Sequence, residues 1–140
     1  MKLKIGNKEL TVKFSFEPTL KGRLISKLAS LQKDVKTEEE NLLKVEDMML
    51  VLPEMLLVGL QKYHKAEFGY DYDNNEGRED QMSKVFALMD DYFDEENADL
   101  MVLYNGLQEE MLQNSFLSSL FRKELAEANS KKANKKNEKN

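Results

Sequence analysis

The residues with the greatest capacity for chemistry are a single histidine and several groups of carboxylates. His64 is the one histidine of the chain, and there is no cysteine. Thiolate nucleophiles, disulfides and cysteine-based metal sites are therefore excluded. One imidazole without a second histidine or cysteine is a poor basis for a zinc site. We therefore interpret His64 as a packing or capping residue, and we predict no metal and no cofactor.

The loop at 69–77 has part of the spacing of a calcium-binding EF-hand. Asp71, Asp73 and Asn75 occupy the first three ligand positions. The sixth position holds Glu76 where the sharp turn needs glycine, and the twelfth holds Met82 where the ion needs a bidentate glutamate. The sequence therefore predicts a polar loop rather than a calcium site.

A run of acids follows in the second half of the chain, at Asp90, Asp91, Asp94, Glu95 and Glu96. Paired carboxylates can act as general acid and general base, but no glycine-rich loop or nucleophile motif accompanies these. We therefore predict a solvated or partner-binding surface, no catalytic residues and no enzymatic activity. A hydrolase that uses carboxylates alone is the one enzyme class that the composition leaves open.

Charge is separated into blocks along the chain, although the net charge is only −5. Residues 1–36 carry +6, residues 67–99 carry −10, and residues 129–140 carry +4. Such separation favours association with a charged partner, including other copies of the same chain. The acidic middle, and the lack of aromatic residues interleaved with the basic ones, argue against nucleic acid as that partner.

The N-terminal residues predict a β-hairpin with one apolar face, because apolar and polar residues alternate on both sides of a Gly-Asn pair. A two-residue loop sets Leu3 opposite Leu10 but leaves Ile5 opposite Lys8. A four-residue loop sets Ile5 opposite Leu10 and Leu3 opposite Val12. We favour the four-residue loop because it leaves no apolar residue mismatched.

The apolar run Met48–Leu60 predicts the central helix of the fold. It is too short to span a bilayer, which needs about 20 apolar residues, so no membrane association is expected. Its apolar positions cover most of a helix circumference, and a helix of that kind is buried on nearly all sides. Pro53 predicts a kink or a restart. These apolar positions, traced from the start of the same helix, are Leu42, Val45, Met48, Met49, Val51, Leu52, Met55, Leu56, Val58 and Leu60.

One side of this helix carries a polar seam of Asp47, Glu54 and Gln61 at seven-residue spacing. Leu50 and Leu57 lie on the same seam, where a monomer would expose them. We therefore predict that these two leucines lie under another element of the fold, or at a contact with a subunit or a client protein.

Further helices are predicted on each side of the central one. Leu20, Leu24, Leu28 and Leu31 form a helical stripe after Pro18, which ends the second strand. Thr37 and Glu40 have the spacing of a capping box. An acidic helix begins near Glu79 and stops near Phe93, Asn97 caps the next helix, and a break is expected at Asn114-Ser115 before a last stripe that reaches about Ala128.

The predicted fold is therefore α+β and mostly α, with an N-terminal β-hairpin packed on a bundle of about four to five helices. Residues 1–128 form a single domain around the central apolar helix. Residues 129–140 contain no large apolar side chain, so we predict a disordered Lys/Asn-rich tail.

This order of elements resembles the tail assembly chaperones of long-tailed phages, most of all those of siphophages that infect Gram-positive hosts. The resemblance covers most of residues 1–128. It is carried by the opening MKLKIGNKELTVKF, the basic amphipathic helix after it, the apolar segment MLLVGLQKYH, the acidic helix KVFALMDDYFDEE and the long C-terminal helices that end in the Lys/Asn tail.

The resemblance implies a non-enzymatic protein of the host cytoplasm that is absent from the mature virion. Such chaperones coat the hydrophobic tape measure protein, keep it soluble and help recruit tail tube subunits. Many are made in two lengths by a programmed frameshift, for which an A-rich codon run at Lys131 and Lys132 (or at Lys135 and Lys136) is the expected point. The implied partners are therefore the tape measure protein, the tail tube protein, further copies in a ring or spiral, and a longer form of the same chain.

Two other interpretations compete with this one. The chain could be a small helical adaptor or regulator that binds one protein as a monomer or dimer. It could also be a nucleic-acid-binding protein that uses its basic N-terminal third and its tail, although its acidic middle argues against that role.

Overall fold

The N-terminal hairpin and the helices that follow it are seen in a computed structural model, which describes residues 1–32 and 34–120. The hairpin consists of β1 (Lys2–Ile5) and β2 (Lys8–Thr11), which pair antiparallel. The helices of the described ranges are α1 (Phe16–Lys21), α2 (Leu24–Ser30), α3 (Glu38–Gly59), α4 (Lys65–Phe68), α5 (Arg78–Phe93) and α6 (Leu100–Gln113), and the backbone is helical again at 118–120. The predicted α+β, mostly α class is confirmed.

The hairpin adopts the register that we did not favour. Leu3 pairs with Leu10, and Ile5 pairs with Lys8 across a two-residue loop. Gly6, the first loop residue, has φ +59, and glycine at that position suits a tight primed turn that matches the twist of the strands. The pairing of apolar Ile5 with Lys8 is tolerated because the long Lys8 side chain extends to the surface, where its ammonium forms an ion pair with the carboxylate of Glu67.

The chain after β2 is attached directly to the end of α3. The Lys13 N–H donates to the Gly59 carbonyl over 2.9 Å, and the side chains of Val12 and Phe14 are buried in the core. A Cβ on Gly59 would lie 2.5 Å from Val12 Cγ1. Glycine at this position is therefore what allows the strand and the helix to approach so closely.

The basic segment forms two short helices rather than the one helix that we predicted. α1 and α2 are separated by Gly22 and Arg23, and Arg23 has a left-handed conformation with φ +53. Pro18 does not end the strand. β2 stops at Thr11, and Pro18 lies in the first turn of α1, where its missing N–H costs no helical hydrogen bond.

The central helix, α3, is continuous across Pro53, so the predicted restart is wrong. The Thr37 hydroxyl accepts from the Glu40 N–H over 3.1 Å, which confirms the predicted cap. The Glu40 carboxylate accepts from the Lys36 N–H instead of closing the box on Thr37. From Val51 to its end the helix is buried except for Glu54, which is half-buried.

The first half of α3 contradicts the prediction of a helix buried all round. Leu42 and Met49 belong to the predicted apolar stripes but are exposed. A helix of 22 residues is about 33 Å long, and within residues 1–32 and 34–120 the other elements bury only its second half. The apolar pattern is therefore split between a core segment and a projecting segment.

α5 and α6 complete the described fold. α5 ends at Phe93 and α6 at Gln113, both as predicted. The predicted cap at Asn97 is wrong, because Asp99 caps α6 by accepting from the N–H groups of Met101 and Val102. Residues 121–140, which include the predicted end of the last stripe and the whole predicted tail, lie outside the described residues.

Candidate partner-binding surface

The projecting part of α3, residues 38–50, carries exposed apolar side chains in an acidic setting. We call residues 38–50 the α3 arm. Every residue from 38 to 47 is exposed or half-buried, and Met48 is the first buried one. Leu42, Leu43, Met49 and Leu50 are exposed and lie on one side of the helix by their spacing, and we call these four the arm stripe. The acids of the arm are Glu38, Glu39, Glu40, Glu46 and Asp47, against the single base Lys44.

The two leucines singled out on the polar seam have different environments. Leu57 is fully buried, with 0% of its surface exposed, so it lies under other elements of the fold. Leu50 is 64% exposed and belongs to the arm stripe. Only Leu50 is therefore available to a partner.

Two polar residues of the seam, Glu54 and Gln61, have structural roles that their spacing did not predict. The Glu54 carboxylate bridges Lys27 of α2 (3.0 Å) and Arg78 of α5 (3.2 Å). Burial raises the pKa of the neighbouring Tyr70 hydroxyl, while the Arg78 charge opposes that rise. Glu54 therefore connects three helices, and only the tertiary structure brings its two cationic partners together.

Gln61 is buried, with every polar atom of its amide paired. Its Nε2 donates to the carbonyls of Leu57 (3.0 Å) and Phe68 (2.9 Å), and its Oε1 accepts from the Tyr72 hydroxyl (2.9 Å). A buried amide with complete pairing fixes the chain after α3 in one arrangement. Gln61 is thus part of the core rather than a surface of the seam.

The five acids predicted to bind a partner are all exposed. Asp90 and Asp91 lie in the last turn of α5, and Asp94 follows its end. The Glu95 carboxylate accepts from the Gly6 N–H over 2.8 Å, so it holds the hairpin turn. Four of the five, including Glu96, thus remain candidates for a partner, and Glu95 has a structural role as well.

α5 also exposes two aromatic side chains beside these acids. Phe86 and Phe93 are exposed, and their spacing of seven residues puts them on the same side of the helix as Asp90. We call Phe86, Asp90 and Phe93 the α5 face. An adjacent side of α5 packs into the core through Val85, Leu88 and Met89.

A third exposed apolar surface lies on the two basic helices. Phe16, Leu20 and Ile25 are exposed there, and Phe16 stacks edge-on against the ring of Phe116 at 5.4 Å. Arg23 lies at the surface between the helices. We call Phe16, Leu20, Arg23 and Ile25 the basic face. Next to the basic face, an open groove of about 370 Å³ lies between α2 and α6, and Leu28 and Met111 are among its lining residues.

His64 and the EF-hand-like loop have local structural roles. The His64 Nε2 accepts from the Thr11 N–H over 2.9 Å, which ties the end of β2 to the start of α4. In the loop, the Asp71 carboxylate accepts from the N–H groups of Asp73 and Asn74. Across residues 1–32 and 34–120, no three histidine or acidic side chains converge as a metal site would require.

The described part of the chain has no helix that could cross a membrane. The predicted frameshift point, Lys131 and Lys132, lies outside the described residues. Comparison of the chain with protein-family models, with curated proteins and with solved structures found no match in any of the three.

Proposed function

We propose that this chain is a phage tail assembly chaperone of the siphophage type, which binds the tape measure protein, keeps it soluble and helps recruit tail tube subunits. It works in the host cytoplasm as several copies and leaves before the virion is complete. The order of its elements and the short stretches quoted above support this proposal, together with the amount of apolar surface that its folded domain leaves uncovered.

The observation that carries the proposal is the α5 face. Phe86 and Phe93 present apolar rings to solvent, and Asp90 lies between them along the helix. Aromatic side chains supply much of the binding energy at protein interfaces, and the surrounding carboxylates keep the free protein soluble. A surface of this kind suits an apolar helical client that is held without a deep pocket.

The proposal requires only weak binding by each copy, because several copies would bind along one long client. Weak contacts that act together raise the overall affinity without any tight single site. A tape measure protein offers many similar helical segments, so each chaperone copy needs only a small apolar face. The α5 face, with two exposed aromatic rings, is a small apolar face of this kind.

Co-expression with the tape measure protein tests the proposal. The wild-type chain should move the tape measure protein from the pellet to the soluble fraction. The double variant Phe86→Gln, Phe93→Gln should lose most of that effect, because it removes both rings from exposed positions, and its helical circular dichroism should stay unchanged.

Val102→Gln is the matched control, since Val102 is exposed on α6 and outside the α5 face. It should leave solubilisation intact. If the wild-type chain leaves the tape measure protein insoluble, the chaperone proposal is wrong and the adaptor interpretation gains support.

A further inference from the structure

The arm stripe is an apolar surface that the described part of the chain leaves without a cover. Leu42 is 70% exposed and Leu50 64% exposed. Glu46 is the only charged residue that falls within the stripe on that side of the helix. Apolar surface of this extent on a projecting helix marks a contact with another protein.

The charge of the arm restricts what can cover it. Five acids against one base surround the stripe. An acidic partner would be repelled, whereas a partner with apolar side chains and a net positive charge would be complementary.

The basic face of the same chain has this chemistry. Phe16, Leu20 and Ile25 are exposed apolar side chains on a segment that also carries three bases, Lys21, Arg23 and Lys27, against one acid, Glu17. Within the described residues, Lys21 and Lys27 are paired with carboxylates, while Arg23 has no carboxylate within ion-pair distance. The apolar groove between α2 and α6 lies next to Ile25 and has room for a leucine side chain.

We propose that the arm stripe of one copy docks on the basic face of a second copy. Both surfaces are exposed in the same folded chain, so they do not cover each other within one copy, and contact between them joins two copies. A head-to-tail contact between these two different surfaces leaves one of each free at the ends of the assembly, so it can repeat from copy to copy. The inference rests on the self-association included in the proposed function, but not on the client.

Two variants separate the two sides of this contact. The arm variant, Leu42→Lys with Leu50→Lys, places positive charge on the stripe at exposed positions with acids four residues away, which preserves the helix. The basic-face variant, Leu20→Gln with Arg23→Asn, removes one apolar side chain and one positive charge. Asparagine is well tolerated in the left-handed conformation of residue 23. Val102→Lys, at another exposed apolar position, is the matched control.

Sedimentation velocity at low salt measures the outcome. The wild-type chain and Val102→Lys should associate more as concentration rises, and high salt should weaken that association. Each of the two variants alone should bind itself at least about tenfold more weakly. An equimolar mixture of the two variants should form a one-to-one complex of twice the 16.3 kDa chain and nothing larger, because only one intact contact can form.

Three results would overturn the inference. One is a wild-type chain that stays monomeric at every concentration and salt level. The second is a mixture of the two variants that forms no complex. The third is a basic-face variant that associates as well as the wild type while the arm variant does not, since that result indicates arm-to-arm contact. Both variants keep the α5 face, so the co-expression assay reports separately on client binding.

Discussion

At the scale of single residues, Gln61 shows how a polar side chain can belong to a core. It lies at the end of an apolar helix, and its amide pairs with two carbonyls and one hydroxyl from three positions along the chain. From the sequence alone, Gln61 is expected at the surface, because it is polar and lies seven residues after Glu54. Two of its hydrogen-bond partners, the Phe68 carbonyl at the end of α4 and the Tyr72 hydroxyl in the loop after it, come from later in the chain. No local pattern specifies where these two groups lie.

Replacing Gln61 should therefore cost stability. Gln61→Leu leaves the Phe68 carbonyl and the Tyr72 hydroxyl without this partner, and we expect a loss of roughly 1–3 kcal/mol in the free energy of unfolding. Urea denaturation followed by circular dichroism measures it. Tyr72→Phe removes only one of the three hydrogen bonds and should cost less. A Gln61→Leu protein as stable as the wild type would show that these bonds contribute nothing.

At the scale of elements, the close packing of the chain after β2 against the end of α3 fixes the position of the hairpin on the helices. Gly59 lets the chain from Val12 to Phe14 lie against the helix, and the Lys13 N–H bonds to the Gly59 carbonyl. The sequence shows a glycine in an apolar helix but does not show which element comes close to it.

Gly59→Ala should destabilise the fold, because the new Cβ would meet Val12 Cγ1 at 2.5 Å. Overpacking of this kind costs about 1–3 kcal/mol, which exceeds the gain of up to about 1 kcal/mol from better helix propensity. Thermal and urea unfolding measure the difference.

Gly106→Ala is the control for this effect, since the added Cβ in α6 would meet only the flexible end of Met1, at 3.1 Å. That variant should be neutral or slightly stabilising. The cost of Gly59→Ala should also shrink in a Val12→Ala background, as a double-mutant cycle can show. Independent, additive effects of the two substitutions would argue against the close approach.

At the scale of the whole molecule, α3 serves both the core and the surface. Its second half is buried in the core, where Gly59 binds the chain after β2 and Glu54 pairs with α2 and α5, while the arm projects with four exposed apolar side chains. Leu50 and Leu57 lie seven residues apart on the same side of this helix, yet one is exposed and the other fully buried. Folding and association can therefore be separated by substitutions along one helix.

Leu57→Glu should unfold the protein, because it puts a carboxylate in a position without any exposure and without a described cationic partner. Leu50→Glu should keep the free energy of unfolding within about 1 kcal/mol of the wild type, because its position is mostly solvated. Circular dichroism melts and sedimentation velocity on each single variant distinguish the two roles. Equal loss of structure in both variants would mean that the arm is also needed for folding.

The sequence by itself determined the class of the fold, the start of α3 and the ends of α5 and α6. Alternation around Gly-Asn indicated the hairpin, Thr37 marked the start of α3, and the ends of α5 and α6 followed from acids and Asn114 in the chain. These features depend on neighbours within a few residues, so their physical cause is local.

Only the tertiary structure decided which apolar residues are buried, which register the hairpin takes and where Glu54 and Gln61 find partners. Leu42 and Leu56 are both apolar residues of one helix, but in the described part of the chain Leu42 is exposed and Leu56 is fully buried. Leu3 could face either Leu10 or Val12, and the structure pairs it with Leu10 while Glu67 of α4 holds the mismatched Lys8. Burial and pairing depend on elements that are distant in the chain. The periodicity of a single helix or strand therefore cannot predict them.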